Sequence, residues 1–235
     1  MFHVKHGPAA RLLAAAGTLG VPLEPAMAGA LVALFDRMAL EPQNLTAIED
    51  VDDAVDRHLA DSLAGLVVPE VEGPLVDLGS GGGFPGLVLA MLRPEMSVTL
   101  VESERRKAEW LVAASAGLPN VRVVADRSEH LAKHEREAYA TVTARAVAPL
   151  VPVLELAAPF VAPGGHAVLW STPVDAQDED RAARAAAILG LEPLPARPVR
   201  PFPDAERVLR VFRRIAPTPS KYPRRPGRAA ARPIA

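Results

Sequence analysis

Between the apolar run Leu75-Val76-Asp77-Leu78 and a second one at residues 87–92, the chain places Gly79-Ser80-Gly81-Gly82-Gly83-Phe84-Pro85-Gly86. A glycine turn that follows a strand and opens a helix constrains the fold more than any other segment here. Glycines permit positive φ and let a ligand approach the backbone, and the helix that follows points its free N–H groups at the same spot. Pro85 suits a first helical turn, where its missing N–H costs nothing. Downstream the pattern continues as strand and helix in alternation. Val98–Val101 reads as a strand, 104–116 as a helix, 121–125 as a strand, 140–144 as a weaker strand and 150–161 as a helix. Pro163-Gly164-Gly165 turns into a strand at 166–170, followed by a helix at 176–189 and a last strand at 207–215. This series predicts an α/β fold: a mostly parallel, seven-stranded Rossmann-like sheet with helices on both faces.

Upstream, residues 9–16, 25–40 and 52–66 read as helices, the second with Leu31, Leu34, Phe35 and Met38 on one face and the third with Leu59, Leu63 and Leu66. Residues 1–70 are therefore expected to form a helical cap, part of the same compact unit as a ligand-binding domain at 71–215. Residues 216–235, rich in Pro, Arg and Ala, are expected to be extended or disordered in isolation.

Two cofactors fit the turn. Gly81-x-Gly83-x-x-Gly86 matches the dinucleotide pattern and supports an NAD-dependent oxidoreductase. Asp77, two residues before Gly79, argues for S-adenosylmethionine. A carboxylate there can reach the amino group of a methionine moiety and repels a pyrophosphate, which needs bare N–H groups. Glu102, 23 residues after Gly79, ends the second strand where it can accept from ribose hydroxyls in either cofactor. Asp-x-Gly-x-Gly-x-Gly with the downstream Glu is the pattern of a class I methyltransferase. Asp126-Arg127-Ser128-Glu129 follows the third strand and can border an adenine or cap a helix. Arg145 lies just past the fourth strand, on the same sheet edge.

The target is narrowed by what is missing. There is no cysteine, which excludes disulfide scaffolds, thiolate metal sites and the covalent adduct that methylation of pyrimidine carbon 5 needs. The Asn/Asp-Pro-Pro-aromatic loop used on exocyclic amines is replaced by Thr143-Ala144-Arg145-Ala146-Val147. A purine ring nitrogen needs neither device, because its free lone pair attacks the methyl directly and positioning suffices. Two Trp and two Tyr are too few for a multi-base stacking platform. The net charge of −2 conceals a split: residues 197–235 carry eleven Lys and Arg against two acids, a net +9, and residues 1–196 carry −11. An acidic body with a basic end suggests a polyanionic partner approached from one side. No apolar run reaches the roughly 18–20 residues needed to cross a bilayer. The apolar stretch after Arg11 is broken by Gly17, Gly20 and Pro22, unlike a secretory signal.

These residues resemble a specific family. Met1-Phe2-His3-Val4-Lys5-His6, Asn44-Leu45-Thr46, His58-Leu59-Ala60-Asp61-Ser62-Leu63, the Asp77 to Gly86 turn, Arg93-Pro94, residues 144–150 and Thr218 to Gly227 are similar in combination to the bacterial 16S ribosomal RNA guanine-N7 methyltransferases, also called glucose-inhibited division protein B. The resemblance implies a cytoplasmic enzyme that moves a methyl group from S-adenosylmethionine to N7 of one guanine of 16S rRNA. The expected partner is that RNA, free or within the small ribosomal subunit, and the protein is expected to be a monomer. It implies cofactor contacts at Gly79, Phe84, Ser128, Glu129 and Arg145, beside Asp77, Gly81 and Glu102. No metal is expected. Arg145 holds either the cofactor carboxylate or the substrate.

For RNA, Asn44, Thr46, His58 and Ser62 are expected to line the substrate mouth, His58 and Ser62 four apart on one helix face. Lys221, Arg224 and Arg225, with Arg228 and Arg232, are expected on phosphates. Arg105-Arg106-Lys107 reads as a solvated helix face. The chain departs from the family at Trp170-Ser171, where a Lys-Gly pair is common, so an RNA-binding role on that edge is lost or moved to the basic tail. A non-catalytic RNA-binding protein is the remaining alternative.

Overall fold

A computed structural model describes residues 7–41, 45, 48 and 50–235. Its strands are β1 (Leu75–Leu78), β2 (Val98–Val101), β3 (Val121–Val124), β4 (Tyr139–Arg145), β5 (Val161–Ser171), β6 (Leu191–Pro193), β7 (Arg197–Val199) and β8 (Arg207–Arg214). They form one sheet in the order β3-β2-β1-β4-β5-β8-β6, with β7 also beside β8. The strands from β1 to β5 are parallel, and β8 runs antiparallel to β5.

The expected count of seven strands becomes eight for a simple reason. β6 pairs β8 from Leu191↔Arg214 to Pro193↔Phe212, and β7 pairs the same side from Arg197↔Leu209 to Val199↔Arg207. They are two halves of one interrupted edge strand. Pro193, Pro195 and Pro198 cannot donate ladder bonds, so this segment is tolerated only at an edge. Proline-rich composition hid it from the sequence pattern.

The helices are α1 (Pro8–Leu19), α2 (Pro25–Ala39), α3 (Val51–Ala54), α4 (Asp61–Leu63), α5 (Gly86–Leu92), α6 (Arg105–Ala114), α7 (Ser128–Leu131), α8 (Leu150–Ala157), α9 (Ala176–Ile188) and α10 (Arg228–Ala231). Alternation along the strands sorts the core into two layers. Leu75, Val98, Leu100, Val168, Trp170 and Leu209 face α1, α2, α5 and α6 on one side. Val76, Leu78, Val101, Ala167, Leu169 and Phe212 face α8 and α9 on the other. The N-terminal helices thus share the first core layer with the sheet.

The third cap helix is not the regular helix its periodicity suggests. α3, whose first turn is capped by the Asp50 side chain accepting from Asp53 N–H (2.9 Å), runs into a π-helical turn at Val55–Ala60 and then α4. A π turn inserts an extra residue and is frequent at functional sites. Ser62, four residues after His58, is wholly buried and donates to the His58 carbonyl (2.5 Å).

The C-terminal segment also differs from expectation. It packs on the second core layer, with Thr218, Tyr222 and Ala229 buried. Thr218 Oγ1 donates to the carbonyls of Ala158 and Leu189 at 3.1 and 2.9 Å, and Arg136 donates to those of Tyr222 and Thr218 at 2.5 and 2.9 Å. Composition suggested disorder; tertiary hydrogen bonds and a few buried apolar groups outweigh it.

Candidate functional site

Because β1 and β4 are neighbours while the chain leaves them in opposite directions, their carboxyl edge is the topological switch point where open α/β sheets bind ligands. A cleft of ≈ 350 Å³ opens there, lined by Gly79, Ser80, Gly81, Gly82 and Phe84 from the turn, Glu102, Lys107, Met38, Leu45, His58, and Arg145-Ala146-Val147. Gly79 has φ +65°, and a Cβ there would stand 2.7 Å from Val147 Cγ2. Only glycine lets the turn lie this close to the strand-β4 loop.

Glu102 follows β2 and lines the cleft. It is 8% exposed; Oε2 accepts from Gly81 N–H (2.9 Å) and Oε1 from Glu104 N–H (2.7 Å). The carboxylate is thereby held at the cleft wall, and each oxygen keeps acceptor capacity.

Asp77 is a correction. It is 1% exposed and does not line the cleft. Oδ1 accepts from Thr143 Oγ1 (2.8 Å), and Oδ2 accepts from Gly86 N–H (3.2 Å), the first residue of α5. The carboxylate braces the glycine turn from below and does not reach out to an ammonium group. Burial pushes its pKa up to about 6, against the opposing hydrogen bonds from Thr143, Ser80 and Gly86. Asp77 still bears on the choice of cofactor, because it occupies the helix N-terminus that a pyrophosphate would need.

Over the cleft the cap contributes a stack. His58 lies on Phe84 with ring centroids 4.8 Å apart and planes 13° from parallel, and the Arg145 guanidinium sits 5.8 Å from the Phe84 centroid. Arg145 Nη1 donates to Asp61 Oδ2 (2.8 Å) and to the Arg57 carbonyl (3.0 Å). Asp61, 1% exposed, also accepts from Arg207 Nε (2.7 Å). One buried carboxylate of the cap therefore clamps the ends of β4 and β8. Burial, reinforced by Arg145, lowers the His58 pKa to about 4, so its ring is neutral at pH 7.

Beyond Val147 the cleft continues into a smaller hollow bordered by Gly79, Val101, Ser103 and residues 126–129. Ser128 opens α7 here. Glu129 is 6% exposed; it accepts from Arg127 Nη2 (3.2 Å) and from Gly227 N–H (3.1 Å). Neighbouring donors hold its pKa below the usual carboxylate range in spite of burial.

The family model for rRNA small subunit methyltransferase G matches residues 32–196, a span that holds every residue lining the cleft. The chain belongs to the rRNA small subunit methyltransferase G family. The family's ribosomal RNA small subunit methyltransferase G from Deinococcus deserti is 39% identical over 234 residues, covering 95% of this chain and 95% of that one. The Chloroflexus aggregans protein of the same name is 43% identical over 198 residues, covering 81% and 82%. Among solved structures, the 1,6-didemethyltoxoflavin-N1-methyltransferase of Burkholderia thailandensis gives a TM-score of 0.53 at 16% identity, covering 83% of this chain and 93% of that one, and shares the fold. Like that protein, this member of the methyltransferase G family has a Rossmann-like α/β sheet.

Within this family framework the structure brings Gly79, Gly81, Phe84, Glu102, His58 and Arg145 together at one cleft and puts Ser128 and Glu129 at its extension. Asn44 and Thr46 lie outside the described residues; Leu45, between them, lines the mouth. Ser62, buried, does not. Of the tail residues, Arg224 is taken by a buried ion pair: Nε and Nη2 reach Glu155 Oε1 and Oε2 at 2.8 and 2.5 Å, and its N–H donates to Oε1 at 3.0 Å. Its guanidinium is thereby committed to Glu155 and to the Arg232 carbonyl. Lys221 and Arg225 are exposed, and neither forms an ion pair among the described residues.

Trp170, at the departure from the family pattern, donates its indole N–H to the Asp61 carbonyl (2.9 Å) and packs on Gly65, so this position supports the cap. Sequence reasoning missed Lys107, which pairs with Glu104 (2.8 Å) and turns into the cleft from the face read as solvated. It also missed the Asp61 clamp; an acid beside His58 in a capping helix was its only signal. No cluster of three metal-ligating side chains occurs among the described residues, and no described helix is long and apolar enough to cross a membrane.

Proposed function

We propose that the protein uses S-adenosylmethionine to methylate N7 of a guanine in 16S rRNA. The observation that carries this reading is the coincidence of the family match with the cleft built from the glycine turn and Glu102. The cleft suits the cofactor. Glu102, fixed by two backbone N–H groups, offers acceptors to ribose hydroxyls, and the turn admits a ligand against its backbone. The hollow beside Ser103 and Ser128 extends the cleft where an adenine would continue from the ribose.

The cofactor, when bound, would supply a methyl group on a sulfonium: a ring-nitrogen lone pair would form the N–C bond as the C–S bond breaks, with the neutral thioether leaving and the purine becoming a methylated cation. The chain's part is positional. No proton need leave a guanine N7, and the groups at hand agree: His58, with its pKa lowered to about 4, is a weak base, and Asp77 is sealed inside. Arg145 and Lys107 line the cleft as cations, each already paired with a carboxylate, Asp61 and Glu104. The dinucleotide alternative gains no support, since Asp77 already holds the α5 N-terminus.

Titration calorimetry tests the reading. S-adenosylhomocysteine is expected to bind and NAD is not, and Glu102→Ala is expected to weaken the former about 10- to 100-fold, the worth of charge-assisted hydrogen bonds to a diol. Binding of NAD without binding of S-adenosylhomocysteine would overturn it.

A further inference from the structure

A second cleft of ≈ 490 Å³ adjoins the first, well inside the size range of small-ligand sites. The two share Ala146, whose φ of +56° is one of two non-glycine positive values among the described residues. Strain of this kind persists where the surroundings enforce it and clusters at ligand sites. Pro149 and Leu150 at the start of α8 and Trp170-Ser171 at the end of β5 border the second cleft. Its outer wall is the C-terminal strap, through Ala230 and Pro233. Asp178, in the first turn of α9, is the one carboxylate along it. That carboxylate makes a single 3.3 Å contact to Arg181, which leaves most of its acceptor sites unused.

Resting on the function proposed above, we infer that this second cleft receives the target guanine, with Asp178 reading its Watson–Crick edge and the strap closing the slot. The chemistry sets the orientation. N7 must face the shared residue Ala146, beyond which the cofactor cleft begins. The opposite edge of a guanine carries two donors, N1–H and the 2-amino group, and so points away from Ala146 toward an acceptor. A carboxylate accepts from both. Adenine, whose N7 is as available, turns a lone pair at N1 to the same carboxylate and is repelled. Asp178 is thus a specificity-determining residue; Leu150, Leu169 and Trp170 give the slot an apolar wall for a stacked base, and Ser171, Thr172 and Arg181 are its other polar groups.

The test uses the full chain, methylating 16S rRNA transcript or small subunits, with the target position first located by mapping. A transcript carrying inosine there keeps N7 and lacks the 2-amino group. The wild-type protein is expected to lose about tenfold in kcat/KM on inosine, the worth of one hydrogen bond to a charged acceptor. Asp178→Ala is expected to methylate both RNAs equally, at the lower rate. Ala230→Trp, at an exposed position and so without cost to folding, fills the slot and is expected to lower kcat/KM more than tenfold. Both variants are expected to bind S-adenosylhomocysteine as the wild type does. Full discrimination between guanine and inosine in Asp178→Ala, or wild-type turnover in Ala230→Trp, overturns the inference. A wild-type protein that methylates no guanine overturns instead the function on which it rests.

Discussion

The N–H of Gly227 donates to Oε1 of Glu129 at 3.1 Å, joining residues 98 apart in the chain. The basic C-terminal segment is therefore tied to the same acidic side chain that walls the hollow beside the glycine-turn cleft. Arg224, three residues earlier, anchors the segment on Glu155, which is 1% exposed. The tail is a strap, and its charges divide into those that hold it and those that remain outside.

The holding charge has a consequence for stability. Arg224→Ala removes both guanidinium hydrogen bonds from the buried Glu155 side chain and leaves it only the backbone N–H of residue 224, a loss of about 3 kcal/mol. Urea unfolding is expected to show that loss, whereas Lys221→Ala, at an exposed position, is expected to change stability by less than about 0.5 kcal/mol. Equal, small effects from both would mean that the strap is not anchored there.

The outer charges have a different signature. Lys221, Arg225, Arg228 and Arg232 have no carboxylate partner among the described residues. Replacing all four with Ala is expected to weaken binding to 16S rRNA and to flatten its dependence on salt, by just under one unit of slope for each phosphate that is no longer neutralised. A filter-binding series across salt concentrations reads the slope. An unchanged slope would place the RNA elsewhere on the surface.

Asp77 and His58 respond to acid in opposite directions. Burial holds Asp77 near pKa 6 against 3.8 in a free chain. Between those values the native state keeps a proton that the unfolded chain releases, so its contribution grows as pH falls and is lost as pH rises toward 6. The amount is about 3 kcal/mol. His58, lowered from 6.5 to about 4, behaves inversely. Its neutral native form is favoured above 6.5, and about 3 kcal/mol is lost as pH falls to 4. In the wild type the two offset each other. Asp77→Asn is expected to lose stability steeply from pH 6.5 to 4, and His58→Gln to hold or gain. Parallel profiles for both variants in denaturant titrations would contradict these assignments.

Much of this was legible in the sequence because it depends on local pattern. The glycine turn, the strands ending at Leu78 and Val101, and Glu102 follow from spacing alone. Residues whose role depends on a distant partner were not legible. Asp77 has the right position in the chain, but its orientation is decided by Thr143, 66 residues away. Ser62 has helical spacing from His58, but its hydroxyl is buried and bonded back to the His58 carbonyl. Arg224 looks like any tail arginine until Glu155 is brought beneath it. The edge strand at β6 and β7 is hidden by its prolines, and the strap's order rests on single side chains such as Tyr222 and Thr218 that no composition average registers.

The central claim is methyl transfer to a guanine N7 in 16S rRNA. It is tested most directly by incubating the purified protein with 16S rRNA or small subunits and labelled S-adenosylmethionine, then mapping N7-methylguanine by chemical cleavage of the RNA. One labelled, cleavable guanine is expected with the wild type and little or none with Glu102→Ala. Label at another atom or base, or none with either RNA substrate, would contradict the account.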